Sequence, residues 1–443
     1  MADRSENQRP RKNRDKAKEK RLGYLFVAPS LLLIIVIAIW PVLQSFYFSL
    51  FDLRLNSPTK SETHLNYSID LEQYLNQYPF LLTAVENEIQ QEHSPAAFKD
   101  VKEKLTSMDK ELQQNPKVKA NYKKVNDKLL NYENVDANSS IVPIDKKAAE
   151  SIQHSSQQIY KEVKDVSSKT KLNQGNKLVG LSSGLTESIV KPNFVGLQHY
   201  QQDLSNQRLW KALSNTVIFT IISVGIELIL GMAIALLINK AFVGRGLIRA
   251  TILIPWAIPT AVSALMWKFL YDGQNGVVAK IFESIGLVNN MADLLTTQTG
   301  AMFSIIFTDV WKTTPYMALL LLAGLQTIPS SLYEAAAIDG ASKWKQFLTI
   351  TLPLMKSSML VALLFRTLDA FRVFDLIFVL TGGGPANSTE TISVLAYKVM
   401  FNQTNFGDGS ALSVIVFICV AIISMIYIKI LGRDLLGSNG GKG

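Results

Sequence analysis

The sequence has very little cysteine and little charge for its length. Its 443 residues include one cysteine, Cys419, so no disulfide framework can form within the chain. Only 18% of the residues are charged and 48% are hydrophobic, a combination that is rare in soluble proteins. The sequence also lacks a GxxxxGK[ST] phosphate loop, so the chain cannot itself cradle ATP. These deficits exclude a disulfide scaffold and a P-loop ATPase, and they favour a membrane protein.

The apolar residues come in blocks of the length that a membrane helix needs. About 20 mainly apolar residues cross the roughly 30 Å of hydrocarbon in a bilayer. The first block has no charged residue and is longer than the core of a signal peptide, so we expect a retained span. The sequence therefore predicts an all-α membrane protein with six transmembrane helices, at 24–51, 215–239, 251–267, 300–325, 357–381 and 411–428.

The basic residues that produce the net charge of +9 lie beside the ends of these blocks. This distribution is typical of the positive-inside rule and argues against nucleic acid as a partner. Residues 1–21 hold nine Lys and Arg against four acidic residues, which places the N-terminus in the cytoplasm. Counting spans from there puts the segment 326–356 and the tail 433–443 on the same side. Both termini are therefore predicted to be cytoplasmic.

The long polar segment 52–209 falls on the outside in this topology. It carries 20 basic and 20 acidic residues and is close to neutral. Between Pro95 and Tyr132 the sequence is predicted to be helical, because apolar residues recur at spacings of three and four. These residues are Phe98, Val101, Leu105, Met108 and Leu112. A small, mostly helical domain is the favoured interpretation, and a partly disordered loop is the alternative.

The segment 326–356 contains the most specific pattern in the chain. It reads Glu334-Ala335-Ala336, three residues, Gly340, nine residues, Ile350, one residue and Leu352-Pro353. The alanines favour a helix whose small side chains allow close approach, and Asp339-Gly340 predicts a turn that ends it. Trp344, Phe347 and Leu348 then form the apolar face of a second short helix, which Pro353 is expected to stop. An amphipathic helix pair of this kind indicates a docking element.

This pattern resembles the EAA loop of the permease subunits of binding-protein-dependent ABC sugar importers, with every fixed position matched. Other segments resemble the same family, and together the resemblance covers residues 22–51 and 193–432. They are Asn193-Phe194-Val195-Gly196-Leu197, the stretch from Leu253 to Pro259, Val373-Phe374-Asp375-Leu376 and the stretch from Leu380 to Pro385. The long external insertion is similar to that of the maltose/maltodextrin permeases of the MalF type.

The resemblance implies the ABC type I importer permease fold, with a mostly helical extracytoplasmic domain inserted between helices 1 and 2. The implied divisions are a basic tail 1–21, a first helix 22–51, the insertion 52–209, a permease core 210–432 and a tail 433–443. The chain would be a multi-pass protein of the bacterial plasma membrane and a transporter subunit rather than an enzyme. The implied partners are two ATPase subunits that hold ATP and Mg, a second permease and an external solute-binding protein. Coupling to the ATPase is expected at Glu334, Ala335, Ala336, Asp339, Gly340, Trp344 and Phe347.

Charged residues inside the predicted spans point to a solute site, because a charge in the bilayer is costly and usually functional. The charges of spans four and five sum to zero, which suits a neutral sugar; they are Asp309, Lys312, Arg366, Asp369, Arg372 and Asp375. By resemblance to the maltose permease, the solute would meet Trp311, Thr313, Tyr316, Arg366, Asp369, Ala370 and Val373. Lys312 joins them as a candidate because its charge falls near the middle of span four. The alternative is that these charges pair with one another, Asp369 with Lys312, and contact no solute. Glu227, isolated in span two, is expected to make a hydrogen bond within the bundle.

Other functions remain as alternatives. Within the family, the solute could be another oligosaccharide or glycerol phosphate. An ion-coupled secondary transporter is disfavoured, because the sequence shows no internal repeat and such a protein has no use for an EAA loop. A membrane receptor would need a cytoplasmic effector domain, and the longest cytoplasmic segment has about 30 residues. The best prediction from sequence is a permease for maltose, maltodextrin or a related oligosaccharide.

Overall fold

The structure is a computed structural model that describes residues 9–91, 95–240 and 243–437. The predicted tails 1–21 and 433–443 therefore lie partly outside the described residues. The chain divides into two compact units. The first, the helical membrane unit, contains residues up to Ser49, Leu197–Gln403 and the residues from Asp408 onward. The second, the inserted unit, contains Leu50–Gly196 and Thr404–Gly407.

The inserted unit is mostly helical and contains one small antiparallel sheet. Before it, the membrane unit begins with α1 (Arg9–Ile34), a wider π turn (Ile35–Ile39) and α2 (Trp40–Phe48). The inserted unit then contains β1 (Ser68–Asp70), α3 (Leu71–Gln90), α4 (Pro95–Gln113), α5 (Pro116–Leu130), α6 (Ala137–Ser140), β2 (Ile141–Pro143), α7 (Lys146–Lys169), α8 (Gly175–Thr186) and β3 (Ile189–Val190). The sheet has the order β2-β1-β3, and Ile69 pairs with Val142 on one side and with Ile189 on the other.

The core of this unit contains the apolar face predicted between residues 98 and 112. All five of those side chains are at most 2% exposed, so the predicted face is confirmed. The stretch from Pro95 to Tyr132, predicted to be helical, forms two helices. Asn115 ends the first at a turn and caps the second, because its side-chain oxygen accepts hydrogen bonds from the backbone N–H groups of Lys117 and Val118. Pro116 then occupies the first helical position, where its missing N–H costs nothing.

The rest of the membrane unit is helical. Its helices are α9 (Gln198–Ser205), α10 (Gln207–Asn239), α11 (Arg245–Ala257), α12 (Thr260–Leu270), α13 (Val277–Ser284), α14 (Asp293–Thr296), α15 (Gln298–Leu325), α16 (Ser330–Ile338), α17 (Lys343–Gln346), α18 (Leu352–Leu354), α19 (Lys356–Phe371), α20 (Asp375–Leu380), α21 (Ile392–Tyr397) and α22 (Phe406–Gly437). Two π turns, Phe347–Thr351 and Lys398–Asn402, extend α17 and α21. The residues of α9, which the sequence prediction assigned to the external segment, belong to this unit.

Among the described residues, four continuous helices are long and apolar enough to cross a membrane, and the number rises to six if each of two bent pairs counts as one span. The continuous helices are Leu22–Phe48, Gln207–Asn239, Gln298–Leu325 and Phe406–Leu431. The pair α11 and α12 is bent by 88°, and the pair Lys343–Leu354 and α19 is bent by 67°. Counted in this way, the described residues hold up to six candidate spans, two of which are bent pairs.

The breaks correct two details of the sequence prediction and confirm a third. The third span, predicted to run through 251–267, breaks at Ile258-Pro259, because proline has no N–H to donate and disfavours helical backbone in the residue before it. The predicted stop at Pro353 is confirmed to within one residue, because the helix ends at Leu354 and α19 begins at Lys356 after the 67° bend. The fifth span ends at Phe371 rather than continuing to residue 381.

Close packing of α10 on α15 positions the candidate site. At Gly231 of α10, a Cβ atom would lie 2.8 Å from Cγ of Met317 and 3.2 Å from the backbone nitrogen of Ala318. A glycine is needed at this close approach, as small residues are at helix contacts in membranes. One turn earlier on each helix, Glu227 faces Thr313, which begins the polar cluster described next.

Candidate solute cavity and coupling segment

Arg366 of α19 joins three carboxylates from three helices. Its Nε and Nη2 atoms donate to the two oxygens of Glu227, on α10, at 2.5 and 2.9 Å. Nη2 also forms an ion pair with Asp309 of α15, and Nη1 donates to Oδ2 of Asp369 at 3.2 Å. The bidentate contact with Glu227 is the geometry in which a guanidinium binds a carboxylate most strongly.

The centre of this cluster is shielded from solvent. The side chains of Arg366 and Glu227 are 1% and 0% exposed, and that of Asp309 is 7% exposed. The hydroxyl of Thr313 lies 2.7 Å from Oε1 of Glu227 and fills a further acceptor position. The expected hydrogen bond of Glu227 within the bundle is therefore confirmed, but its expected isolation is wrong. Buried charges persist in a bundle when each has a partner, as these do.

All six charged residues predicted in spans four and five line one cavity of about 190 Å³. They are Asp309, Lys312, Arg366, Asp369, Arg372 and Asp375, three acidic and three basic. Thr260 and Thr313 add hydroxyl groups to the wall. Asp369, Arg372 and Asp375 are the exposed members, and 61% of the Asp369 side chain is accessible. The cavity therefore offers many hydrogen-bonding groups with a formal charge of zero.

Lys312 is held differently from the arrangement that the sequence suggested. The proposed pairing with Asp369 is not found: among the described residues Lys312 makes no ion pair, and Asp369 is paired with Arg366 and, at 4.0 Å, with Arg372. Instead, Nζ of Lys312 donates to the backbone carbonyl oxygens of Ile258 at 2.5 Å and Trp256 at 3.4 Å. The lysine therefore contacts the break between α11 and α12.

The structure brings together five of the eight predicted solute residues. Lys312, Thr313, Arg366, Asp369 and Val373 line the cavity, although Val373 lies beyond the end of α19 and so does not share a helical face with the others. The other three lie elsewhere and do not line it. The ring of Trp311 packs against Trp267 at 5.3 Å, the ring of Tyr316 stacks on Trp256 at 5.5 Å, and Ala370 is buried.

Sequence reasoning missed the role of Glu227 and the contribution of Thr260. A signal for Glu227 existed, since it is one acidic residue on the otherwise apolar α10 and Arg366 is a basic residue in another apolar helix. Opposite charges buried in separate membrane helices are expected to pair. Thr260 carried no such signal, because its position at the cavity depends on the break before it.

The predicted coupling segment forms a helix, a turn and a second helix. After α16, the N–H of Ala341 bonds to the carbonyl of Ala336 at 2.8 Å and that of Gly340 to the carbonyl of Ala337 at 3.1 Å. These two bonds define a Schellman motif, which requires a left-handed residue at Gly340, where φ is +76°. The predicted turn at Asp339-Gly340 is confirmed.

The segment exposes apolar side chains in a fixed arrangement. Trp344 is 69% and Ile338 is 87% exposed, whereas Phe347 is partly buried against the core of the membrane unit. The rings of Trp344 and Phe347 stack at 5.5 Å, and a hydrogen bond of 2.9 Å joins Tyr333 to Thr351. Large exposed apolar groups on a hydrogen-bonded frame are typical of a surface that a partner covers.

A further polar cluster lies between α9 and the start of α22. Nδ1 of His199 is 3.5 Å from Oδ1 of Asp408, and Asp203 is buried nearby. Burial, and secondly the negative charge of Asp408, raise the pKa of Asp203 to about 7. This carboxyl therefore titrates near neutral pH.

Comparisons with known proteins identify the family of the chain. The family model of the binding-protein-dependent transport system inner membrane component matches residues 227–436. The trehalose/maltose transport system permease protein MalF of Thermococcus litoralis is 46% identical over 256 residues, which are 58% of this chain and 85% of that protein. The trehalose transport system permease protein SugA of Mycobacterium tuberculosis is 43% identical over 253 residues, which are 56% of this chain and 80% of that protein.

Among solved structures, a bacterial ABC transporter involved in the import of the acidic polysaccharide alginate matches at a TM-score of 0.49 and 22% identity, over 54% of this chain and 84% of that chain.

The chain therefore belongs to the family of binding-protein-dependent transport system inner membrane components and is a multi-pass permease subunit of an ABC importer. The resemblance drawn from the EAA loop is confirmed.

Proposed function

We propose that this permease translocates maltose, maltodextrin or a related oligosaccharide. The observation that carries the proposal is the 46% identity to a relative named for trehalose and maltose transport, which extends over 85% of that relative. That relative is named for trehalose as well as maltose, so trehalose is included among the related sugars.

The charge of the cavity supports a neutral solute. Three carboxylates and three cations line it, so its formal charge is zero, and the exposed carboxylate of Asp369 can accept hydrogen bonds from sugar hydroxyls. Glycerol phosphate, the competing solute class, is an anion and would favour an excess of Arg and Lys. Behind the wall, Glu227 adds a further negative charge to the cluster, which also disfavours an anion.

The small volume of the cavity supports the proposal that a second permease completes the solute site. Sites for small organic ligands occupy about 300–1,000 Å³, whereas this cavity has about 190 Å³. We propose that a second, related permease supplies the other wall, and that an external solute-binding protein delivers the sugar. In this arrangement Asp369 and Arg372, at the exposed side of the cavity, meet the solute.

Energy for transport is proposed to come from two partner ATPase subunits that bind ATP and Mg. The surface that the ATPase subunits would contact is the helix pair around Gly340. It presents Glu334, Ala335 and Ala336 on the first helix and Trp344 on the second. Four of these five residues are exposed, and Ala336 is partly buried. Closure of the ATPase pair would move this segment, whose two helical parts are joined by the Tyr333–Thr351 hydrogen bond and whose Phe347 packs against the core of the membrane unit.

The test is uptake by the assembled complex in proteoliposomes containing ATP. We expect uptake of maltose, maltotriose or trehalose that requires the binding protein and ATP and is unaffected by collapse of the ion gradients. Uptake of glycerol 3-phosphate in preference to every sugar would contradict the proposed solute. Uptake that needs an ion gradient but no ATP would establish the secondary-transporter alternative.

The role of Asp369 is tested in the same complex. Asp369→Asn retains the shape of the side chain but loses the charge, and we expect an altered ranking of sugars with little loss of stability, because Arg366 keeps its two buried carboxylates. Lys280→Met is the control: it also removes one charge of an exposed ion pair, that with Glu283, and Lys280 does not line the cavity. An unaltered ranking together with a large loss of thermal stability would assign Asp369 to ion pairing alone.

A further inference from the structure

The break in the third span leaves backbone carbonyls without helical partners. A helix ends with four carbonyl groups that lack an intrahelical donor. At the end of α11, Ile258 has extended backbone angles and Pro259 has no N–H, so the helix cannot supply those donors from its next turn. A buried carbonyl that is left without a donor is costly, so another group has to supply the hydrogen bonds.

Lys312 supplies these donors. Its ammonium group donates to the carbonyls of Ile258 and Trp256, and the side chain is 6% exposed. A cation at a helix C-terminus is also favoured by the helix dipole. No carboxylate among the described residues pairs with Lys312, so these carbonyls are its partners in the structure.

Tyr316 holds the same segment by a different contact. It lies one turn after Lys312 on α15, and its ring stacks on the ring of Trp256 with an interplanar angle of 12°. One face of α15 therefore contacts the end of α11 twice, through backbone carbonyls and through an aromatic ring. Beyond the break, Thr260 begins α12 and lines the solute cavity.

We propose that Lys312 and Tyr316 are positioning residues that hold the bend of the third span, so that α12 forms a wall of the cavity. This assigns to both residues a role other than direct contact with the solute. It follows from the contacts at the break and does not depend on which solute is transported.

A distance measurement tests the bend directly. Leu247 and Phe269 are exposed near the far ends of α11 and α12 and can be replaced by cysteines carrying spin labels, in a Cys419→Ser background within the assembled complex. With a rise of 1.5 Å per residue, a straight helix would separate these positions by about 33 Å, whereas a right-angle bend at residue 258 separates them by about 23 Å. We expect the short distance in the parent and in Lys312→Arg, and a shift toward the longer distance in Lys312→Met.

Tyr316 provides a second pair of variants that does not alter a buried charge. Tyr316→Phe retains the stacked ring and should retain the short distance, whereas Tyr316→Leu should broaden the distribution toward longer distances. Unchanged distances in both Lys312→Met and Tyr316→Leu would overturn the proposal.

Uptake kinetics separate positioning from solute binding, and this part rests on the proposed function. For a positioning role, Lys312→Met should lower the maximal rate by about 10- to 100-fold, with the KM for the sugar changed by less than about twofold. Lys312→Arg and Tyr316→Phe should keep most of the rate. The contrary result is a KM that rises several-fold in Lys312→Met or Tyr316→Phe while the maximal rate and the spin-label distance stay unchanged. That result would make these residues solute ligands and refute the proposal. Failure of sugar uptake in the parent complex would contradict the proposed function and leave the distance test intact.

Discussion

Replacement of Arg366 by Met should destabilise the membrane unit more than loss of any exposed charge. The arginine is 1% exposed and is the cation shared by Glu227 and Asp309, which would both remain buried. Breaking a buried ion pair by removing one partner costs about 3–5 kcal/mol. At about 2–4 °C per kcal/mol, the Tm of the purified complex should fall by roughly 6–20 °C.

The measurement is thermal unfolding of the assembled complex, compared with two further variants. Lys280→Met removes an exposed ion pair with Glu283 and should cost less than about 1 kcal/mol. Adding Glu227→Gln to Arg366→Met removes one of the two stranded charges and should recover part of the lost stability. If Arg366→Met is no more destabilising than Lys280→Met, or if Glu227→Gln adds to the loss instead of reducing it, the account of the cluster as a shared buried ion pair is refuted.

Three other predictions concern the remaining parts of the molecule. Gly340→Leu should abolish uptake and stimulation of the partner ATPase without preventing membrane insertion, because φ of +76° is strained for leucine. Gly340→Asn should retain most activity, because asparagine tolerates this conformation. Equal activity of the two variants would contradict the role of the turn. Asp203 keeps its proton in the folded chain up to about pH 7 but loses it near pH 3.8 when unfolded, so its contribution to stability falls as the pH rises between these values. The Tm of Asp203→Asn minus the Tm of the parent should therefore be larger at pH 8 than at pH 4.5. The same difference at both pH values would argue against a buried carboxyl at this position. Deletion of residues 60–185 should leave the spans inserted and weaken binding of the solute-binding protein. An unchanged affinity of the complex for that protein would show that the inserted unit takes no part in binding it.

The sequence by itself determined the features that depend on local composition and periodicity. Blocks of apolar residues located the six spans, because a bilayer selects for length and hydrophobicity regardless of neighbours. The three- and four-residue spacing from Phe98 to Leu112 located the buried face of α4, and Asp339-Gly340 located the turn of the coupling segment. The EAA pattern identified the family.

Only the tertiary structure decided how the charged residues pair. Arg366 and Glu227 are 139 positions apart, and their contact depends on how α10 and α19 are rotated about their axes, which no local pattern records. The bend at Ile258-Pro259 was visible as a proline but not as an 88° change of direction. At this bend the backbone carbonyls of Trp256 and Ile258 accept hydrogen bonds from Lys312 instead of from a helical N–H group. Lys312, which the sequence presented as a solute contact or as a partner of Asp369, is therefore bound to backbone carbonyls. The sequence could not show this, because the orientation of the helices on either side of a break is set by packing rather than by the residues of the break.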